Sequence, residues 1–235
     1  MSIPFYGLKL DKSNQIYLSK KESFHCIKVL RHLIGDEVEV LDGNGNLYKC
    51  EILDSNQNNC ILNIIDSDFK IRPPHNLHII IAPLKSSDRI DWLIEKVVEM
   101  GVNRLSFVKT ERTLRNKIKI ARLQKIAISA MKQSYNRYNL IIDDIIPFKN
   151  IFQDIKSNQC FIAHLENEKR VHLRDRLESN LDTCILIGPE GDFCPKEIDL
   201  AIKNNFKSIS LGEKRLRTET AALVSVGAFN FINGL

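Results

Sequence analysis

Glycine and charged residues follow two apolar runs of strand length in the C-terminal third of the chain. The run Thr183–Ile187 ends in Gly188-Pro-Glu-Gly191, and the run at 208–212 leads into Glu213-Lys-Arg-Leu-Arg-Thr-Glu-Thr220. Ligands of open α/β sheets bind beyond the carboxyl ends of strands. These two segments are therefore the candidate ligand site.

The glycine spacing argues against a phosphate-binding loop. Neither GxxxxGK[ST] nor a GxGxxG after a strand occurs, and Gly43 and Gly45 lie in a hairpin turn instead. A glycine loop can also let the backbone approach a flat adenine and a ribose closely. This favours a nucleoside-bearing ligand without a phosphate, such as S-adenosylmethionine. The alternative is a plain strand-to-helix turn, because Pro195 and Glu197 suit a helical first turn.

The segment 217–234, RTETAALVSVGAFNFING, is predicted to be a helix with Thr218 as its N-cap. It is apolar on nearly every side. A helix of this kind is buried either in the fold or against a partner.

The elements before residue 72 predict a small β-barrel. Asp42-Gly-Asn-Gly-Asn46 is a strong hairpin turn between alternating segments. A single helix is predicted over 21–33, where Phe24, Ile27, Leu30 and other apolar residues recur at helical spacing. Three strands surround it, and they are predicted at 37–41, 47–53 and 60–65.

Arg72-Pro-Pro74 breaks this pattern and predicts a boundary between domains at 1–72 and 73–235. Apolar strands then alternate with helices, which predicts a mostly parallel sheet covered on both faces. The strands are expected at 77–84, 104–109, 140–146, 159–165, 183–188 and 208–212, and the helices at 88–100, 116–134 and 217–234.

Composition indicates a soluble cytoplasmic protein. Of the 235 residues, 43% are hydrophobic and 27% charged, with no apolar run long enough to span a membrane and no secretory signal pattern. The cysteines and histidines lack metal-ligand spacing, so no metal is expected. The net charge of +5 is mild, but eight basic residues from Lys109 to Lys132 face a single acid, Glu111. This stripe is either a solvated helix face or a surface that neutralises phosphates.

Together, ILIGPEGDF (185–193) and SLGEKRLRTETAAL (210–223) closely resemble the final third of SPOUT-superfamily methyltransferases. Within that superfamily the match is to the ribosomal RNA small subunit methyltransferase E family. Shorter matches extend along the chain, at 25–31, 96–102, 111–112 and 132–134. The resemblance implies S-adenosyl-L-methionine as cofactor and methylation of N3 of one uridine in 16S rRNA. It also implies an α/β fold with a deep C-terminal trefoil knot, a PUA-like RNA-binding β-barrel at the N-terminus, and a homodimer through the knot region.

The resemblance also implies roles for individual residues. Arg217 is the candidate to stabilise negative charge on the uridine, or else it contacts the cofactor carboxylate or the dimer partner. Glu190 or Glu219 could act as base, although each could equally be a helix-start carboxylate. The cofactor would be held at Leu165, Gly188, Gly191, Leu211, Gly212, Leu216 and Thr218. RNA phosphates would contact Arg31, Arg112, Arg122 and Arg137, and the target would be single-stranded or looped.

Four positions depart from the family pattern. Lys132 replaces an acid and Asn136 replaces an arginine, whereas Asp192 and Cys194 replace glycine and serine after GPEG. These changes concern RNA contacts and a helix start more than the ligand loops. The rival hypotheses are an RNA 2′-O-methyltransferase of the same superfamily, a non-catalytic RNA-binding protein, and a phosphate-binding α/β enzyme.

Overall fold

The computed structural model describes residues 3–9, 13–166 and 170–234. The chain divides into two compact units. The N-terminal unit comprises residues 1–72 and 128–139, and the C-terminal unit comprises residues 73–127 and 140–235. The helix over 120–134 therefore begins in the C-terminal unit and ends in the N-terminal one.

A five-stranded sheet forms the N-terminal unit, in the order β1-β3-β4-β5-β2. Only β1 and β3 pair in parallel; the other neighbours are antiparallel. Alternating apolar residues such as Val38, Val40, Cys50 and Ile52 point into one buried cluster. The strands are β1 (Phe5–Tyr6), β2 (Gln15–Tyr17), β3 (Glu37–Leu41), β4 (Asn46–Asp54) and β5 (Ile61–Phe69).

The helix predicted over 21–33 is wrong in both length and face. The α-helix α1 covers only Lys20–Phe24, and a π-helical turn follows at His25–Val29. The buried residues are Glu22 and Ser23 in α1 and Cys26 in the π-helical turn. The predicted apolar stripe is mostly exposed, since Phe24, Val29, Leu30 and Leu33 face outward.

Segment 128–139 belongs to the N-terminal unit through polar contacts. Nζ of Lys132 lies 2.8 Å from Oε2 of Glu22, and both side chains are nearly buried. Tyr135 donates its hydroxyl to Glu39 at 3.0 Å. Lys132, which stands where the family has an acid, is thus neutralised by an acid on α1.

The C-terminal unit contains a seven-stranded, fully parallel sheet in the order β10-β12-β9-β11-β6-β7-β8. Its central strands are mostly apolar, and β11 is buried at every residue. The strands are β6 (Leu77–Ile81), β7 (Arg104–Lys109), β8 (Ile141–Pro147), β9 (Gln159–Ala163), β10 (Val171–His172), β11 (Thr183–Ile187) and β12 (Lys207–Ser210).

Four longer helices accompany these strands: α2 (Ser87–Glu99), α3 (Ile120–Ser134), α4 (Pro195–Lys203) and α5 (Thr218–Asn233). Short 3-10 helices lie at Phe148–Gln153 and Leu173–Asp175. Helix α5 packs against α2, β6 and β11. Its inner face is buried at Ala222, Val226 and Phe229, whereas Phe231 is 90% exposed. The predicted all-round apolar helix is therefore covered on only part of its surface within this chain.

Candidate active site at the strand ends

A cavity of about 290 Å³ lies at the carboxyl ends of three neighbouring strands, β12, β9 and β11. Strand β9 lies between the other two, so the segment that follows β9 lies between the two glycine-rich loops. Most of the predicted site residues line the cavity; they are Leu165, Gly188, Glu190, Leu211, Gly212, Leu216, Arg217 and Thr218. Gly191 and Glu219 are not part of the lining.

The loop 188–191 is held by hydrogen bonds to its carbonyl groups. Thr218 donates its hydroxyl to the Gly188 carbonyl at 3.1 Å, and Arg215 donates to that of Glu190 at 2.9 Å. Arg112 donates to the Gly191 carbonyl at 2.7 Å. Three separate side chains therefore fix the backbone of one cavity wall.

Thr218 does not cap α5 as predicted. The N-cap position is Arg217, which has extended backbone and makes no side-chain cap hydrogen bond. The Thr218 hydroxyl is instead committed to the Gly188 carbonyl. This bond joins the start of α5 to the end of β11.

Arg217 lies at the cavity wall with an exposed side chain. Within the described part of the chain, its guanidinium has no hydrogen-bond or salt-bridge partner. The cation is thus available to a bound molecule.

Glu219 and Glu190 share one arginine, Arg89 of α2, and we call these residues the loop cluster. Nε of Arg89 donates to Oε1 of Glu219 at 2.8 Å, and Nη2 donates to Oε2. Nη1 of Arg89 lies 3.2 Å from Oε1 of Glu190. Burial would raise the pKa of Glu219, but hydrogen bonds from Arg89 and the backbone, with the charges of Arg89 and Arg217, hold it below its ordinary value.

The two unusual residues after GPEG have defined structural roles. Asp192 adopts a left-handed φ of 64°, and its Oδ2 accepts a hydrogen bond from the Leu165 amide at 2.7 Å. Cys194 is the N-cap of α4, and its amide donates to Glu197 at 3.0 Å. Glu197 also accepts from the Glu111 amide at 2.8 Å. The helix start is thus supported by Glu197, as its position predicted.

A second polar network, the strand cluster, consists of His78, Arg104, Ser106 and Asp143 on β6, β7 and β8. Ser106 donates its hydroxyl to Asp143 at 2.5 Å and lies 2.7 Å from Nε2 of His78. Arg104 donates to Asp143 at 2.6 Å. Burial and the Arg104 charge lower the pKa of His78 to about 4, against an opposing effect of Asp143.

The strand cluster resembles a nucleophilic triad in composition but not in arrangement. A triad places histidine between serine and carboxylate, whereas here Ser106 lies between His78 and Asp143. The serine proton already goes to the carboxylate. None of the cluster's four residues lines the cavity at the strand ends.

Three of the four arginines predicted to bind RNA have protein partners. Arg112 holds the Gly191 carbonyl, Arg122 pairs with Asp91 at 2.5 Å, and Arg137 pairs with Asp68 at 2.5 Å. Arg31 is exposed and adopts a left-handed φ of 61°.

Sequence reasoning missed Arg89. Its signal is local: it lies in the first turn of the helix that follows strand β6, close to where a strand-end ligand would lie. Its two carboxylate partners lie more than 100 positions away in sequence.

No group of three or more His, Cys, Asp or Glu could hold a metal ion within residues 3–9, 13–166 and 170–234. Over the same residues, no helix is long and apolar enough to cross a membrane.

Comparison with known proteins identifies the class of the fold and site. Residues 72–230 match the RNA methyltransferase domain family, and residues 18–65 match the RNA methyltransferase PUA domain family. This is an RNA methyltransferase with an N-terminal PUA-like domain and an α/β domain of the SPOUT type.

Individual relatives narrow the assignment. Ribosomal RNA small subunit methyltransferase E of Buchnera aphidicola subsp. Acyrthosiphon pisum is 30% identical over 94% of this chain and 90% of its own length. The protein of the same name from Rickettsia conorii is 29% identical over 94% and 92%. The chain belongs to the ribosomal RNA small subunit methyltransferase E family.

Solved structures agree in fold over the whole chain. The crystal structure of a probable rRNA-methyltransferase from Porphyromonas gingivalis has a TM-score of 0.91 at 35% identity, covering 99% of both chains. Ribosomal RNA small subunit methyltransferase E from Neisseria gonorrhoeae, solved bound to S-adenosyl methionine, has a TM-score of 0.86 at 24% identity, covering 99% of this chain and 98% of that one.

Proposed function

We propose that this protein methylates N3 of a uridine in 16S rRNA of the small ribosomal subunit, using S-adenosylmethionine as methyl donor. The observation that carries the proposal is the cavity between the GPEG and RTET segments, with the unpartnered Arg217 at its wall. Membership of the ribosomal RNA small subunit methyltransferase E family supplies the substrate class. The Neisseria relative with bound S-adenosyl methionine supports the choice of donor.

The residues of the cavity fit such a donor. Leu165, Leu211 and Leu216 provide apolar surface for an adenine, and Gly212 has a φ of 126° that L side chains rarely adopt. The carboxylates of Glu190 and Asp192 suit hydroxyl and amine donors of the ligand. The exposed cation Lys214 suits its carboxylate. The backbone at Gly188 would complete the cradle, and Gly191, just outside the lining, would hold the loop in place through the bond from Arg112 to its carbonyl.

When bound, S-adenosylmethionine supplies an electrophilic methyl group: the N3–carbon bond forms as the carbon–sulfur bond breaks, the electron pair stays on sulfur, and the N3 proton is lost. Positioning then accounts for much of the rate. Arg217 stabilises the negative charge that the departing proton leaves on the uracil ring. Glu190 and Glu219 are the candidate proton acceptors in this site.

RNA binding is assigned to both units. The PUA-like unit contributes Arg31, and the C-terminal unit contributes its basic stripe. Because Arg112, Arg122 and Arg137 have protein partners, the exposed lysines Lys117 and Lys119 are better placed for phosphate contacts. Binding should weaken steeply with added salt, and a flat response would reject the stripe as the footprint.

A homodimer and a trefoil knot complete the proposal. The exposed apolar surface of α5, including Val224 and Phe231, supports a partner subunit on this helix. Equilibrium sedimentation should give a dimer, and Phe231→Glu should shift it toward monomer. A cytoplasmic location follows from the proposed ribosomal substrate.

The decisive experiment is methyl transfer from labelled S-adenosylmethionine to small ribosomal subunits that lack the modification, followed by digestion and mass spectrometry of the nucleosides. N3-methyluridine is the expected product. A 2′-O-methylated nucleoside would overturn the assignment of the acceptor atom. Absence of both transfer and donor binding would overturn the enzymatic function.

A further inference from the structure

Arg89 connects the two segments that border the cavity. It reaches Glu219 in the first turn of α5 through two parallel hydrogen bonds and Glu190 in the GPEG loop through a third. The residue itself sits on α2, outside both motifs. Its guanidinium thus joins three elements that are distant in sequence.

The two arms of this contact differ. The side chain of Glu219 is 8% exposed and both of its oxygens accept from Arg89, whereas Glu190 is 42% exposed and offers one oxygen at 3.2 Å. A buried bidentate arginine–carboxylate pair is strong and geometrically specific, and an exposed single contact is weak. The Glu219 arm therefore determines where Arg89 lies.

We propose that Arg89 is a positioning residue for methyl transfer. It keeps Glu219 ionised, with both carboxylate oxygens hydrogen-bonded, and thereby leaves Arg217 free for the substrate. The inference rests on the proposed function of this site. It also distinguishes the two glutamates: Glu219 is a structural anion, and Glu190 remains the candidate proton acceptor.

The hydrogen bonds of Glu219 oppose a role as proton acceptor. To accept a proton from the uridine, Glu219 would have to give up one of its two bonds to Arg89 in a nearly buried site. The charges that act on it are Arg89 on α2 and Arg217 just before α5, and Arg89 is shared with Glu190. Both neighbouring cations favour the ionised form.

Charge balance around Glu219 determines whether Arg217 is available to the substrate. Arg217 is two residues from Glu219 and has no side-chain partner in the described part of the chain. If Arg89 were removed, Glu219 would be a buried anion without its partner, and Arg217 would be the nearest remaining cation. We expect Glu219 to capture Arg217 and withdraw it from the cavity.

The test is a double-mutant cycle with Arg89→Met and Glu219→Gln, measured with labelled S-adenosylmethionine and unmodified small subunits. Arg89→Met should lower kcat about tenfold to a hundredfold, while the Kd for S-adenosylmethionine by calorimetry changes only a few-fold. Glu219→Gln alone should have a smaller effect. The double variant should recover most of the loss, because no anion remains to capture Arg217. Arg89→Lys, which cannot form the bidentate pair, should lie between wild type and Arg89→Met.

The pH dependence gives an independent readout. In Arg89→Met the pKa of Glu219 should rise through burial, so the kcat deficit relative to wild type should shrink as the pH falls and Glu219 becomes neutral. The Arg89→Met variant should have a lower urea midpoint than wild type, and this difference should be largest at neutral pH and smaller at acid pH. Both effects should disappear in the double variant.

A double variant as slow as Arg89→Met, with a pH-independent defect, would overturn the positioning role. A Glu219→Gln variant with no turnover at any pH would overturn the assignment of Glu219 as a structural anion. Failure of the proposed function is distinguishable, because the wild-type protein would then transfer no methyl group at all.

Discussion

The loop cluster and the strand cluster both pair an arginine with a carboxylate in the C-terminal unit, yet only the loop cluster borders the cavity. The strand cluster is built on consecutive strands β6, β7 and β8, where the ladder itself brings Ser106 beside Asp143. The loop cluster joins α2, the GPEG loop and α5, and nothing but tertiary packing brings them together. Strand-borne groups are held by the sheet, whereas groups beyond the strand ends can meet a ligand.

The comparison teaches that composition is a poor guide to the site. A serine, a histidine and an aspartate lie within hydrogen-bonding distance in the strand cluster, but their order is wrong for nucleophilic catalysis. Two glutamates and two arginines near the cavity have no such familiar composition, although one of those arginines is free to act on a ligand. Position and unused hydrogen-bonding capacity distinguish the two networks.

The largest expected effect is at Arg217. Arg217→Ala should lower kcat by about a hundred- to a thousandfold, because a cation beside the developing charge is lost. The Kd for S-adenosylmethionine by calorimetry should stay within a few-fold, since the backbone cradle is intact. Loss of donor binding together with turnover would show instead that Arg217 holds the donor.

The matched change in the strand cluster should affect stability but not turnover. Arg104→Met leaves the Asp143 carboxylate without its cation, and because both side chains are only partly buried we expect a loss of about 1–2 kcal/mol in the free energy of unfolding. Urea denaturation measures this loss. At temperatures well below the unfolding transition, the kcat of the variant for methyl transfer should match that of wild type. A lower kcat under these conditions would show that the strand cluster, like the loop cluster, affects turnover.

A smaller effect concerns pH. Because the pKa of His78 is lowered to about 4, the unfolded chain takes up a proton as the pH falls below about 6.5 while the folded chain does not. Stability is therefore complete above that pH and is lost as the pH falls toward 4. From pH 7.5 to 5.5 the contribution of His78 should be about 1 kcal/mol, allowing for its partial exposure.

His78→Gln tests this contribution because an amide can still donate to Ser106 but does not titrate in this range. The urea midpoint of the variant should fall less than that of wild type between pH 7.5 and 5.5. Equal slopes for the two proteins would exclude His78 as the source. Asp143, whose pKa is lowered against burial by bonds from Arg104 and Ser106, adds a loss in the same direction at lower pH.

Local patterns in the sequence accounted for much of the C-terminal unit. Six of its seven strands and three of its four longer helices were predicted close to their observed bounds, with α3 beginning at Ile120 rather than near 116; strand β10 was missed, and no bounds were predicted for α4. The paired GPEG and RTET segments were sufficient to locate the cavity wall. These successes share a cause, since apolar runs, glycines and charged strand ends act over a few residues.

Local patterns failed where one residue of register decided the outcome. The helix becomes π-helical at His25–Val29 and most of the predicted apolar stripe is exposed, and the spacing of the apolar residues gives no sign of either. The residues next to Thr218 in sequence predict a helix cap, but its hydroxyl donates a hydrogen bond to the Gly188 carbonyl instead. A hydrogen bond between positions thirty residues apart depends on packing and not on propensity.

By itself the sequence determined the α/β class and the two segments that border the site, because their periodicity and turn residues are locally encoded, and resemblance to known sequences indicated the family. Only the tertiary structure decided that β9 lies between β12 and β11, which brings Leu165 to the cavity, and that Arg89 pairs with Glu219. Strand order and buried ion pairs depend on which distant surfaces pack together. That choice is a property of the whole chain, and no single segment carries it.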